Sequence, residues 1–360
     1  APTMVQGCYF MLVLAVALFA ASQYFSPIIL RDIIESPQVY GATVDYLHWR
    51  TYGIFFSFLC VMFRAYYVGI TQTKILTVNS IVMLLSNVAL NYCLIFGKGG
   101  FPAAGIAGAA IASSVSEAVS LLFFIIYTSM TADKRKYGFR RAFTLRPHLL
   151  KGMLSISGWT MVQSFISVSI WFIFFLAIEH LGERPLAVTN IVRNISALLI
   201  MVISAFATTA GALISNQIGA GEQRCLFKTC GMTLKLTYAI LIPLLIILCL
   251  FPEPVLRAFT DSPSLIAASV NSVYVMASST LIMAPSFILF NAVSGTGNTK
   301  AGFIMEMISL AVYTAVIYYG IIRLKPDVAL CWFSEHVYGV TLIILAWWYL
   351  KSGKWRGKKV

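Results

Sequence analysis

Residues 229–251 read TCGMTLKLTYAILIPLLIILCLF, a run in which Lys235 is the one charged side chain. A helix rises about 1.5 Å per residue, so about 20 mostly apolar residues cross the hydrocarbon core of a bilayer. This run is long enough, and it does not alternate at period two as a barrel strand would. Working outward, the same reading applies at roughly 8–30, 47–68, 75–97, 104–130, 149–179, 186–216, 265–292, 301–322 and 330–350, which makes ten spans. Composition agrees. Of 360 residues 59% are hydrophobic and 11% charged, where a soluble domain carries about 25% charged residues; the mean hydropathy is +0.84. A cytosolic enzyme, a secreted disulfide scaffold and a disordered chain are excluded. The expected class is an all-α, multi-pass membrane protein whose first partner is the lipid bilayer.

The net charge of +13 is an orientation signal rather than a nucleic-acid footprint, because the basic residues sit between apolar runs. One side gathers Lys74, seven basic residues between 131 and 151, Arg224, Lys228, Lys300 and five in the tail. The other has Arg31, Arg50, Lys98, Arg184, Arg257, Arg323 and Lys325. The richer side is expected to be cytoplasmic, with both chain ends on it. Seven scattered cysteines read as small buried hydrophobes. Cys225 and Cys230 have no second pair or histidine near them, so no metal site is expected.

An ungapped register at an offset of 226 pairs Leu30-Arg31 with Leu256-Arg257, Ser36-Pro37 with Ser262-Pro263, and Ala42 and Val44 with Ala268 and Val270. It also pairs Gly69, Thr73 and Lys74 with Gly295, Thr299 and Lys300. The offset spans six helices, an even number, so the copies run the same way through the membrane, a known transporter plan. The second copy has two helices, 149–179 and 186–216, before its aligned part. Projecting them back predicts two more upstream, ten of twelve being present here. The expected organisation is a four-helix remainder of the first lobe over 1–130, a basic cytoplasmic linker over 131–148, a six-helix second lobe over 149–350 and a basic tail over 351–360.

Several stretches resemble one family. Asn91-Tyr-Cys-Leu-Ile-Phe-Gly97, then Gly100-Phe-Pro102 and Gly105-Ile-Ala-Gly108-Ala-Ala-Ile-Ala-Ser113, is similar to the join between the fifth and sixth helices of multidrug and toxic compound extrusion (MATE) transporters. Gly211 to Gln223, including Asn216-Gln217-Ile-Gly219-Ala-Gly221-Glu222, resembles the signature after the family's eighth helix. Gly69…Thr73-Lys74 and Gly295…Thr299-Lys300 match its short cytoplasmic turns. On their own, Gly97 to Pro102 read as a tight turn and Gly105, Gly108, Ala109 and Ala112 as a smooth packing face.

Ionisable residues inside a membrane are expensive and are functional candidates by default. Glu117, near the middle of 104–130, follows Ser113 and Ser114 by one helical turn. Asn87 and Asn91 are one turn apart on the preceding span. Glu117, Asn87, Asn91 and Ser113 are therefore the expected cation or proton site. The resemblance supports it in part, since family members of the proton-coupled branch carry a polar cluster here and on a first helix. Asn91 stands where an aspartate is often found. In the second lobe, Thr160, Gln163, Ser164 and Ser167 follow helical spacing, as do Asn190, Arg193 and Asn194, and together they are expected to wall a substrate cavity. Gln163 lies nearest the position at which some sodium-coupled relatives carry a glutamate, so a carboxylate pair in this lobe is not expected. Arg64, Lys235 and Glu306 read as side chains snorkelling to the cytoplasmic surface. Asp45, His48, Arg50, Glu179, Glu335 and His336 read as lying near outer helix ends.

The resemblance implies a bacterial inner-membrane antiporter, monomeric and not an enzyme, with no catalytic residues. It would export organic cations or drug-like amphiphiles in exchange for H+ or Na+ by alternating access, with no cofactor and no nucleic-acid partner. A nucleotide-binding loop is missing from the sequence. The alternatives are a flippase for lipid-linked saccharides, at which Arg193 hints, and an integral-membrane transferase, for which the loops are too short and the four histidines too isolated.

Overall fold

Proline sets the frame of the two copies. In the computed structural model, which describes residues 2–33, 37–131, 144, 146–353 and 355, helix α2 begins at Pro37 and helix α10 at Pro263. Each has proline in the first turn, where its missing N–H costs nothing and its fixed φ suits a helix. The stretch opened by Pro37 ends at Gly69 and the one opened by Pro263 ends at Gly295, so both boundaries recur at the offset of 226 seen in the sequence. The copies differ between those ends. α10 (Pro263–Gly295) is continuous, whereas its counterpart is α2 (Pro37–Arg50) followed by α3 (Gly53–Gly69), bent by 45° at the break. Nine helices among the described residues are long and apolar enough to span a bilayer, and the bent pair makes a tenth. The sequence placed the start of that span near 47; helical structure begins ten residues earlier.

The remaining elements of the first unit (Ala1–Met153) are α1 (Pro2–Ile33), α4 (Lys74–Phe96), α5 (Gly105–Thr131) and the start of α6 (Pro147–Glu179). Its core stacks Phe63 and Tyr67 of α3 on Phe124 of α5, and Tyr67 exchanges a hydrogen bond with Thr128 at 2.8 Å. The α4–α5 turn closes on Gly97 at φ 65°, in the left-handed region where glycine carries no Cβ penalty. Most of the expected linker lies outside the described residues. At its end, Gln6 of α1 donates to the Thr144 carbonyl and accepts from the Arg146 N–H, both at 2.9 Å, which pins the entry to α6.

The second unit (Leu154–Val360) continues α6 and adds α7 (Glu183–Gly219), α8 (Leu226–Leu250), the short α9 (Pro252–Arg257), α10, and α11 (Thr299–Val316), which runs into a π-helical turn at Ile317–Arg323. The short α12 (Val328–Cys331) and α13 (Ser334–Ser352) complete it. In lipid, helix association rests on close packing rather than on the hydrophobic effect, so small residues mark the seams. At the α7–α10 crossing a Cβ on Gly211 would press within 2.9 Å of the Asn291 carbonyl oxygen, and one on Gly295 would collide with the Gly211 carbonyl. Buried Ala207, Ala210 and Ala292 border the same seam. Large apolar side chains such as Leu198, Met201 and Leu250 point outward, as expected where the solvent is hydrocarbon. The tail beyond Trp355 lies outside the described residues.

Candidate functional site

At the α2–α3 break of the first unit the Leu47 carbonyl keeps the Thr51 N–H at 3.0 Å, while a membrane protein must satisfy the carbonyls that follow internally. It does so with side chains. Thr51 Oγ1 donates to the Leu47 and His48 carbonyls, each at 3.0 Å, and Gln23 of α1 donates to Thr51 Oγ1 at 2.9 Å and to the His48 carbonyl at 3.2 Å. Ser114 of α5 donates to the Trp49 carbonyl at 3.0 Å. Beside this break, Arg50 forms a two-pronged ion pair with Glu117, Nη2 to Oε1 at 2.7 Å and Nη1 to Oε2 at 3.1 Å. Gly53 leaves the room, since a Cβ there would collide with both side chains. Arg50 is thus the last residue of α2, at the end of a helix as the sequence suggested and directly at the break of the bent pair.

One turn around α5 lies a second polar group. Asn91 Nδ2 donates to Asn87 Oδ1 at 2.8 Å, and Asn87 Nδ2 donates to Ser116 at 3.2 Å and Ser113 at 3.4 Å. Asn91 Oδ1 is buried and without a partner. Three of the four expected residues, Asn87, Asn91 and Ser113, are therefore brought together. Glu117 and Ser114 both approach Gly53, and among the described residues no hydrogen bond joins Glu117 to Asn87, Asn91 or Ser113.

The second unit has a cavity of about 250 Å³ walled by α6, α7, α10, α11 and α13. Two carboxylates line it, and α11 and α13 serve them reciprocally. Glu306 of α11 accepts from Tyr338 of α13 at 2.9 Å and from Ser167 of α6 at 2.8 Å, both on Oε1. Glu335 of α13 accepts from Tyr313 of α11 at 2.7 Å. The two tyrosine rings meet edge-on at 5.8 Å. The rest of the wall is apolar, including Val168, Trp171, Ile200, Met283, Phe287 and Leu310, and contains no basic side chain. Glu306 is 4% exposed, so it is a buried cavity acid and not a snorkelling one, and Glu335 likewise faces the interior.

Of the seven expected cavity residues, Ser167 alone lines this cavity. Thr160 and Ser164 border a separate, open recess with Ser157 and Met161, and Gln163 supplies a backbone carbonyl to Ser167 at 3.0 Å. On α7, Asn194 is exposed and Asn190 half-buried, while Arg193 lies over the Phe175 ring at 5.4 Å. The acids were legible as Glu-x6-Tyr over 306–313 and Glu-x2-Tyr over 335–338, both helical spacings. What hid them was their position near the estimated span ends.

By class this is a many-pass helical membrane protein, with an ion pair beside a bent helix pair and a carboxylate-lined cavity. The comparisons carry this further. The MatE family model matches residues 1–93 and 160–319, one stretch in each repeat copy, and the chain belongs to the MATE family. Among relatives, it is 26% identical over 291 residues to the "Probable multidrug resistance protein NorM" of Thermotoga maritima, covering 76% of this chain and 59% of that protein. It is 24% identical over 268 residues to the "Uncharacterized transporter YisQ" of Bacillus subtilis, covering 71% and 56%. The chain therefore spans under three-fifths of the length of these curated relatives. Among solved structures, a MOP superfamily transporter from Pyrococcus furiosus superposes with a TM-score of 0.85 at 16% identity, over 97% of this chain and 78% of that one.

Proposed function

We propose that the protein exports organic cations or drug-like amphiphiles from a bacterial cell, across the inner membrane, in exchange for H+ or Na+. The observation that carries this is the Arg50–Glu117 pair at the α2–α3 break. Ionisable residues within a membrane span are costly and are functional candidates by default. In this reading Glu117, with Asn87, Asn91 and Ser113 nearby on the α4–α5 face, forms the cation or proton site of the first unit. The Arg50 guanidinium and the incoming cation compete for the same carboxylate. Cation binding releases Arg50 and with it one tie across the break, which favours one access state over the other. Thr160, Gln163, Ser164, Ser167, Asn190, Arg193 and Asn194 contribute polar contacts to the substrate path of the second unit. The protein acts as a monomer with both ends cytoplasmic, and the coupling ion is its one co-reactant.

The test is accumulation of ethidium in cells expressing the full-length protein, with the proton gradient collapsed or sodium withdrawn in turn. Loss of export in one of the two conditions supports the reading. Export indifferent to both removes it.

A further inference from the structure

The cavity of the second unit holds a feature that the reading of the first does not use. Glu306 Oε1 takes both hydroxyl donors, from Ser167 and Tyr338. Its other oxygen, Oε2, is buried with no hydrogen-bond partner, on a side chain that lines the cavity. A buried, unpaired carboxylate oxygen is strongly disfavoured. A second carboxylate, Glu335, lines the same cavity, so two acids share a space whose other walls are apolar. The charged or titratable groups on the surrounding elements do not relieve them. α6 and α10 contribute none to the wall. Arg193 of α7 is stacked on Phe175, His336 of α13 shares a hydrogen bond with Ser278 at 2.9 Å, and Asp327 caps the N-terminus of α12.

We propose that Glu306 and Glu335 form a proton-binding pair, with Glu306 Oε2 as the atom that gains and loses the proton during the transport cycle. This rests on the antiport reading above and adds a second coupling site to it. A proton suits the geometry better than a metal ion. Hard cations take several oxygen ligands at once, and here one carboxylate oxygen of Glu306 is free while its partner oxygen is already occupied by two hydroxyls. A proton needs one oxygen and leaves the Ser167 and Tyr338 bonds in place. Loading it removes one negative charge from an apolar cavity. Losing it leaves two carboxylates lining one largely apolar cavity, a state relieved by opening the cavity to water or admitting a cationic substrate. The reciprocal bonds between α11 and α13 make both helices sensitive to the change, because each acid is held by the tyrosine of the other helix.

The experiment uses the full-length protein in liposomes, with ethidium as transported probe, an imposed pH gradient and no sodium. Infrared difference spectra across pH are recorded on the same preparations. The wild type is expected to show a protonated-carboxyl band that titrates, and Glu306→Gln to lose the largest part of it. Transport driven by the pH gradient is expected to fall by about 5- to 150-fold in that variant, the range of an ordinary coupling free energy. Tyr338→Phe, which keeps the acid and removes one donor, is expected to retain the band and shift its pH midpoint. This variant also covers the case in which Glu306→Gln fails to fold. A wild-type pH profile and an unchanged infrared band in Glu306→Gln overturn the proposal, and so does a Tyr338→Phe band at the wild-type midpoint. Wild-type transport that is the same with and without the pH gradient overturns it as well. If the wild type carries no ethidium at all, the antiport reading fails, while the infrared titration still decides whether Glu306 binds the proton.

Discussion

At the scale of single residues, polar side chains do what lipid cannot. Arg50 and Glu117 neutralise each other across 67 positions of sequence, and the sequence showed one half of this. Glu117 stood out as a lone acid in an apolar run, but nothing local announces a partner that arrives through tertiary packing. Arg50→Ala is expected to destabilise the protein by about 3 kcal/mol, the lower end for breaking a buried pair because the arginine is partly exposed. The double variant Arg50→Ala/Glu117→Ala should recover a good part of that loss, as read by thermal unfolding in detergent. Equal destabilisation in the single and double variants would show that the pair is not the origin of the effect. Glu306 was misread for a related reason, whereas Glu335 does lie in the first turn of its helix as expected. Hydropathy locates the ends of a span only to within a turn or two, and an acid one turn inside the end can point either to the surface or back into a cavity.

At the scale of elements, the break between α2 and α3 is the structural event that sets up the first site. The sequence predicted one span there and gave no sign of a bend, because Arg50-Thr-Tyr-Gly53 contains no proline and glycine alone is tolerated in membrane helices. The bend is visible instead in who satisfies the carbonyls. Ser114→Ala removes the donor to the Trp49 carbonyl and is expected to cost about 1–3 kcal/mol, the price of an unsatisfied buried polar group, measured by the same unfolding assay. An unchanged midpoint would mean that water or another donor reaches that carbonyl. The α7–α10 seam gives a sharper expectation. Gly295→Val places a branched side chain against the Gly211 carbonyl and is expected to cost about 1–3 kcal/mol or more through forced separation of two helices. Reduced yield of monodisperse protein would register it, and wild-type yield and melting would contradict the packing described. These glycines were legible from the sequence as part of family-like motifs, but their contact with each other was not.

At the scale of the whole molecule, composition and repetition carried most of the information. Too little charge for a water-facing surface dictated a membrane protein. The offset of 226 dictated two copies, and the coinciding ends of α2–α3 and α10 are its physical counterpart. What repetition could not foretell is divergence: the same register position is a break in one copy and a continuous helix in the other. That asymmetry separates the two sites, an ion pair beside a bend in the first unit and a carboxylate cavity in the second. In the proposed antiport cycle, occupancy of either site biases the access states by its differential affinity for them. Coupling of substrate movement to an ion gradient is therefore the property to measure. The most direct measurement is ethidium movement in liposomes carrying the full-length protein, with the pH gradient and the sodium gradient imposed one at a time. Accumulation driven by at least one of these gradients, and abolished when it is collapsed, is the predicted result. Ethidium movement that proceeds equally with neither gradient present contradicts the account.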